Sequence, residues 1–170
     1  MSIFTKFLRL LRPAPACRHW EVLHKIPLFQ TLSRRELGIV ELILHERSYL
    51  GDEIIFEEGE EGLGMYIILE GNLRVVRRGI LRKLTGNEEI AVLGPGESVG
   101  EMALLDGVKR SAAVVAKGPA RVLCLFQPEF LQLLHTHRVI GFKVTYELAR
   151  GMAGRIRVYL EQGPTNDVVV

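Results

Sequence analysis

The chain is poor in the residues that build metal or disulfide frameworks. It has two cysteines, Cys17 and Cys124, in 170 residues. They stand far apart, and neither lies in a CxxC or Cys/His pattern with zinc spacing. Two reduced thiols are expected. The five histidines are scattered. His135 and His137 are two apart, which suits neither face of a helix, so no metal and no cofactor are expected. A large charge of one sign is also lacking. The formal net charge of +2 is too small to argue for nucleic-acid binding. No apolar run reaches the roughly 18 to 20 residues that span a bilayer. Lys6, Arg9 and Arg12 interrupt the apolar start, Met1 to Pro13, and no cleavage site closes it, so it does not read as a signal peptide. A cytoplasmic location is expected. Catalytic signatures are missing too. There is no G-x-S-x-G, no Walker loop and no nucleophile with a base motif. A phosphodiesterase would need metal ligands. The chain is therefore not expected to be an enzyme.

What is present is a core-forming composition. Hydrophobic residues make up 48% and charged residues 25%, ordinary for one soluble domain of this length. Residues 1 to 17 read as an extension. Within it Phe4, Phe7, Leu8 and Leu11 fall on one side of a short amphipathic helix over residues 2 to 12, which Pro13 and Pro15 end. Such a basic segment can lie on an anionic membrane; docking on the domain itself or on a partner is favoured. Residues 18 to 47 read as helical. Ser33 and Glu36 make a capping box, and Leu37, Val40, Ile43 and Leu44 give a buried face.

The pattern changes at Tyr49. To about Phe126, short apolar runs alternate with glycine turns. The runs are Glu53 to Phe56, Met65 to Leu69, Leu73 to Val76, Ile90 to Leu93, Ser111 to Ala116 and Arg121 to Phe126. The turns include Gly51-Asp52, Glu70-Gly71-Asn72, Thr85-Gly86-Asn87 and Gly94-Pro95-Gly96. Such punctuation predicts a sandwich or jelly roll. Helical periodicity returns after Pro128. Val144, Leu148, Met152, Ile156 and Tyr159 mark a long amphipathic helix to about Glu161. Residues 163 to 170 read as a loose tail.

The informative stretch runs from Val99 to Val114. Gly100 lets a backbone approach a ligand closely. A helical turn at Met102 to Leu105 would present N–H groups to an anion. Arg110 supplies a planar fork suited to phosphate oxygens, and Ser111 a hydroxyl. Glu101 is an acceptor-only carboxylate, a partner for a sugar hydroxyl. Together they suit a ribose phosphate. The plainer alternative is a Glu101–Arg110 ion pair across a turn.

Val99-Gly100-Glu101-Met102-Ala103-Leu104, followed by Lys109-Arg110-Ser111-Ala112, resembles the phosphate-binding cassette of cyclic-nucleotide-binding domains. That cassette reads roughly F-G-E-(aliphatic)-A-L and then P-R-x-A. The Arg-Ser-Ala ending is similar to that of bacterial catabolite activators. The step from Glu101 to Arg110 is similar to that of kinase regulatory subunits. Ile26-Pro27-Leu28-Phe29, Gly51 to Phe56 and Tyr66 to Gly71 extend the likeness over about residues 20 to 161. Two positions depart: Lys109 replaces the usual proline, and Val99 the common aromatic.

The resemblance implies an α+β fold, an antiparallel β-roll of jelly-roll type flanked by N-terminal helices and a long C-terminal helix, over residues 18 to 162. It implies that Gly100, Glu101, Met102, Ala103, Arg110, Ser111 and Ala112 contact the ligand. Glu101 would take the ribose 2′-hydroxyl and Arg110 the cyclic phosphate. The helix Val139 to Glu161 would move over the base; Arg155 reads either as its cap or as a solvated charge. Gly141 would serve as hinge, and Gly151 and Gly154 would leave room for close approach. The implied ligand is cAMP rather than cGMP, since Ser111 is only partly like the threonine associated with cGMP. The implied role is a sensor that signals to an effector protein.

The alternatives are a degenerate scaffold, or the regulatory part of a channel, transporter or transcription factor. About nine residues follow the long helix, too few for a helix-turn-helix, so sequence-specific DNA binding is not expected. The apolar stripe of the last helix has two readings: pairing of two copies, or burial against the roll.

Overall fold

Period-2 alternation within one hydrophobic run explains most of the architecture. Gly64–Glu70 reads as almost continuously apolar and is buried at six successive positions. A strand of that kind must be covered on both faces. Met65, Ile67 and Leu69 point one way, into a core shared with the helices. Tyr66 and Ile68 point the other way, into a second core between two sheets. Ala120–Phe126 repeats the device. Leu123 and Leu125 face the helices, and Val122 and Cys124 face the opposing sheet.

The structure is a computed structural model that describes residues 16–78 and 87–162. The segment 2–12, Thr85, Gly86 and the tail 163–170 lie outside the described residues. In chain order the helices are α1 (Trp20–Leu23), α2 (Arg34–Glu41), α3 (Gln127–Thr136) and α4 (Arg138–Gln162). The strands are β1 (His45–Tyr49), β2 (Ile54–Phe56), β3 (Gly64–Glu70), β4 (Leu73–Arg78), β5 (Asn87–Leu93), β6 (Ser98–Val99), β7 (Ala113–Ala116) and β8 (Ala120–Phe126). Short 3-10 turns occupy Pro27–Phe29 and Glu101–Leu104. One sheet has the order β1-β8-β3-β6 and the other β2-β7-β4-β5. Their pairings are antiparallel. The antiparallel β-roll with helices at both ends is therefore the fold.

The helical reading of residues 18 to 47 is corrected. Pro27 cannot continue a helix, and the segment breaks into α1, a 3-10 turn and α2. The capping box at the start of α2 is present. The Ser33 Oγ accepts from the Glu36 N–H at 3.3 Å, and the Ser33 N–H donates to Glu36 Oε2 at 2.8 Å. Helix ends at Glu41, and His45–Tyr49 is a strand on β8. Its sequence, His-Glu-Arg-Ser-Tyr, has little apolar content because its middle is exposed. Cross-strand charge supports it instead: Arg121 donates to Glu46 at 2.8 Å. The two-residue strand β6 was also absent from the sequence reading.

The long helix packs through Ile140, Val144 and Leu148, which are buried, with Met152 against the same core. The stripe expected to include Ile156 does not hold there, because Ile156 is 58% exposed. A line of residues four apart drifts by about 40° per step on a helix of 3.6 residues per turn. By Ile156 the line has left the core. Gly141 is a packing residue: a Cβ there would lie 2.8 Å from the Leu134 side chain and 2.9 Å from its Cα. Added Cβ atoms on Gly151 and Gly154 would meet nothing within 4 Å among the described residues. Fully buried Phe130 joins α3 to this core. Phe130→Ala would cost about 3 to 5 kcal/mol.

Candidate functional site

The stretch between β6 and β7 forms a shelf anchored by two buried apolar residues and shaped by two glycines. Gly100 has φ of 80°, in the left-handed region, and starts the turn Glu101–Leu104. The Ala103 N–H donates to the Gly100 carbonyl at 3.2 Å. Ala103 and Leu104 are buried and anchor the shelf. Gly62 makes room for it, since a Cβ there would lie 2.8 Å from the Ala103 Cβ. Met102 and Leu105 remain exposed.

A cavity of about 320 Å³ opens above this shelf. All eight residues singled out from the sequence line it: Gly100, Glu101, Met102, Ala103, Arg110, Ser111, Ala112 and Arg155. The first seven come from one chain segment. Arg155 arrives from α4, because it lies seven residues after Leu148 and eleven after Val144. Both steps return to nearly the same helix face. The structure adds Phe56, Val75, Val99 and Val114 as apolar walls, and Asp106, Val108 and Lys109 at the cassette. Sequence reasoning passed over Phe56 as a site residue. Its signal was faint, a single aromatic closing the first hairpin run.

Arg110 is the best-defined group in the cavity. Its backbone N–H donates to the Glu60 carbonyl at 2.8 Å, and its own carbonyl accepts from the Gly59 N–H at 2.9 Å. The side chain is only 8% exposed. Nη2 donates to the Gly64 carbonyl at 2.6 Å and Nη1 to the Gly100 carbonyl at 3.2 Å. The guanidinium lies 4.1 Å from the Phe56 ring centroid and 5.8 Å from that of Tyr66. Among the described residues it bonds to two carbonyls and the Tyr66 side chain, not to a carboxylate. Nε is buried without a partner. Burial pulls the Arg110 pKa below its usual value, opposed by the nearby Tyr66, Glu60 and Glu101. The group stays charged, since arginine does not deprotonate in proteins.

Glu101 is engaged elsewhere. Its carboxylate is ion-paired with the Arg155 guanidinium. The plainer alternative, a Glu101–Arg110 pair across the turn, is replaced by a link from the shelf to α4. Burial raises Tyr66, with Cys124 adding and Arg110 opposing. Burial also pushes the Cys124 thiol up to about 11. Both are neutral near pH 7. They present no nucleophile to the cavity.

The arrangement sets a buried guanidinium beside a carboxylate in an apolar slot, with Arg155 of α4 on one wall. Residues 46–137 match the family described as the cyclic nucleotide-binding domain. The chain belongs to that family. Among curated proteins it is 34% identical over 125 residues to the Cyclic AMP receptor protein of Thermus thermophilus, covering 73% of this chain and 56% of that one. It is 30% identical over 151 residues to a cyclic nucleotide-gated potassium channel of Mesorhizobium japonicum, covering 88% of this chain and 40% of the channel. The chain thus spans about half the length of these relatives. A crystallised cyclic nucleotide-binding domain from Methylobacillus flagellatus superposes with a TM-score of 0.70 at 29% identity, covering 84% of this chain and 79% of that one. The domain is of the regulatory, ligand-binding type. Among the described residues no helix is long and apolar enough to cross a membrane.

Proposed function

We propose that this domain is a cAMP sensor, with Arg110 as phosphate receptor, Glu101 as ribose receptor and α4 as the element that transmits the signal. One observation carries the reading. Arg110 is a buried charge that faces the cavity without a carboxylate partner. A buried charge is costly unless it is paired. Two carbonyls and an aromatic face hold the fork in place but do not neutralise it. A singly charged cyclic phosphate would do so through charge-assisted hydrogen bonds. Ser111 beside it adds a hydroxyl donor. The apolar walls Val75, Val99 and Val114 suit a purine face.

Glu101 accepts the ribose 2′-hydroxyl in this reading. To do so it must change partners, because Arg155 occupies it without ligand. The released guanidinium can then stack on the base. Ligand entry therefore rewires this charged link between shelf and helix, and α4 shifts to follow it. A partner protein reads that position. The cAMP preference is supported by the Arg110-Ser111-Ala112 ending and by the name of the Thermus relative.

Calorimetric titration with cAMP and cGMP tests the assignment. The wild-type chain should bind cAMP tightly without any metal, and Arg110→Gln should lose at least about 30-fold, in line with removing one partner of a buried charged hydrogen bond. No heat from either nucleotide at millimolar concentration would end the sensor reading. Equal affinity of wild type and Arg110→Gln would move the phosphate away from Arg110.

A further inference from the structure

Beside the shelf the surface carries an apolar patch assembled from three separate stretches of chain. Its members are Leu63, Met102, Leu105, Val108 and Leu131, each between 43% and 62% exposed. Backbone contacts bring them together. Gly62, just before Leu63, lies against the Val108 carbonyl, where an added Cβ would come within 2.5 Å. The Leu63 carbonyl accepts from the Gln127 N–H at 2.9 Å, and the Leu105 N–H donates to the Met102 carbonyl at 2.9 Å. Leu131 stands one helical turn beyond Gln127, on the same face of α3. Large apolar side chains gathered in this way mark an interaction surface, which single exposed ones do not. Carboxylates border the patch. Glu60 and Glu61 precede Gly62, and Asp106 lies between Leu105 and Gly107; all three are exposed. Lys109 adds one cation there.

We propose that this patch is the docking site of residues 2 to 12 of the same chain. Two observations select that occupant. The first is complementarity. Phe4, Phe7, Leu8 and Leu11 supply an apolar side, Lys6, Arg9 and Arg12 supply cations off that side, and the sequence has no acidic residue before Glu21. An apolar strip with basic flanks fits an apolar patch with carboxylates at its border. The second is reach. The described chain begins at Ala16, and next to it Cys17 is buried against the helices. The Arg18 N–H donates to the Glu41 carboxylate at 2.6 Å. Glu41 ends α2. Farther along the chain His45 packs on Phe126, with ring centroids 5.4 Å apart, and Phe126 pairs across strands with Gly64, the neighbour of Leu63. Residues 13 to 16 extend to about 13 Å at most, and a helix over 2 to 12 adds about 16 Å, a span on the scale of this route. Being tethered, the segment meets the patch at an effective concentration near millimolar, so a weak contact suffices. Met102 and Val108 also line the cavity, so the docked segment braces the outer side of the shelf. The docking does not depend on what the cavity binds.

Hydrogen–deuterium exchange on the full chain tests this. So short a helix is marginal in water by itself, and slow exchange over residues 3 to 12 therefore requires a partner surface. In the wild type those amides should exchange at least about 10-fold slower than in an unstructured chain, and equally so at about 1 and about 50 μM. Leu63→Glu and Leu131→Glu alter the patch from two different elements. Each should remove most of that protection while the circular dichroism spectrum stays the same. Phe7→Glu should remove it from the segment side. Leu42→Glu changes an exposed apolar residue outside the patch and should keep it. Unprotected residues 3 to 12 in the wild type overturn the proposal, whether or not vesicles of anionic lipid then order them. So does protection that survives both patch variants. Protection that grows with concentration overturns it too, because the segment then belongs on a second copy.

Discussion

Arg155, near the end of the long helix, is ion-paired with Glu101 on the shelf between β6 and β7. The two residues are 54 positions apart in sequence, and the pair ties the C-terminal helix to the cavity floor. Both side chains are partly covered, 32% and 14% exposed. Losing the arginine should cost affinity for the base and release the carboxylate at once. Arg155→Ala is therefore expected to weaken cAMP by about 5- to 30-fold, the 1 to 2 kcal/mol of a desolvated cation–π contact. It should leave ribose cyclic phosphate, which lacks the base, no weaker. Calorimetry with both ligands decides this. Equal losses for the two would remove Arg155 from the base.

Glu101 should discriminate the sugar. Its replacement by glutamine keeps the size and removes the charge. The 2′-hydroxyl then meets a weaker acceptor, while a 2′-deoxy ligand had no such bond to lose. Glu101→Gln should reduce cAMP affinity by about 10-fold or more, the scale of one charge-assisted hydrogen bond, and leave the 2′-deoxy analogue almost unchanged. A double-mutant-style cycle over protein and ligand isolates the term. A coupling energy of zero would show that Glu101 does not touch the ribose.

Gly100 and Gly96 make a matched pair of tests. Both have left-handed φ, 80° and 87°. A Cβ on Gly100 would fall against the Arg110 guanidinium, whereas a Cβ on Gly96 would meet nothing within 4 Å. Each alanine substitution should cost about 1 to 2 kcal/mol of stability for the backbone strain. Only Gly100→Ala should also displace Arg110 and weaken cAMP. Urea melts and titrations on both variants provide the comparison. Equal affinity losses would deny that Arg110 depends on this glycine for its position.

The cassette was legible because its chemistry is local. Gly100 to Ala112 supplies the shelf, the carboxylate and the guanidinium within thirteen consecutive residues, so ordered spacing alone brought them together. Arg155 was reached through the resemblance, and the helix period explains why it faces the cavity. Phe56 was not reached. Its contact with Arg110 depends on how β2 lies against β7, a long-range relation that no local pattern encodes. The strand His45–Tyr49 was hidden for a different reason. Half-exposed edge strands draw stability from pairing and cross-strand charge, here Arg121 with Glu46, and so lack an apolar signature.

Glu36 joins the capping box of α2 to the long helix, and this junction should make stability depend on acid. Burial alone would raise the Glu36 pKa. Hydrogen bonds from Lys143 and from the Ser33 backbone and side chain outweigh it and hold the carboxyl below its usual value. Its contribution is therefore complete above the unfolded glutamate pKa, about 4.3, and is lost as pH falls through the lower folded value. Lys143 is one-third exposed and Glu36 one-fifth, so solvent screens the pair, and its worth at pH 7 is at most about 1 kcal/mol. Lys143→Met should lower stability by that amount at pH 7. As the pH falls through the lowered folded value, the Glu36 carboxylate protonates and the pair, which only the wild type has, is lost. The difference between the two should then shrink. Urea melts of wild type and Lys143→Met at pH 7, 5, 4 and 3 measure it. A gap that is the same at all four values would assign the lysine's effect to its methylene packing, and the acid dependence of this junction would have to come from another carboxylate.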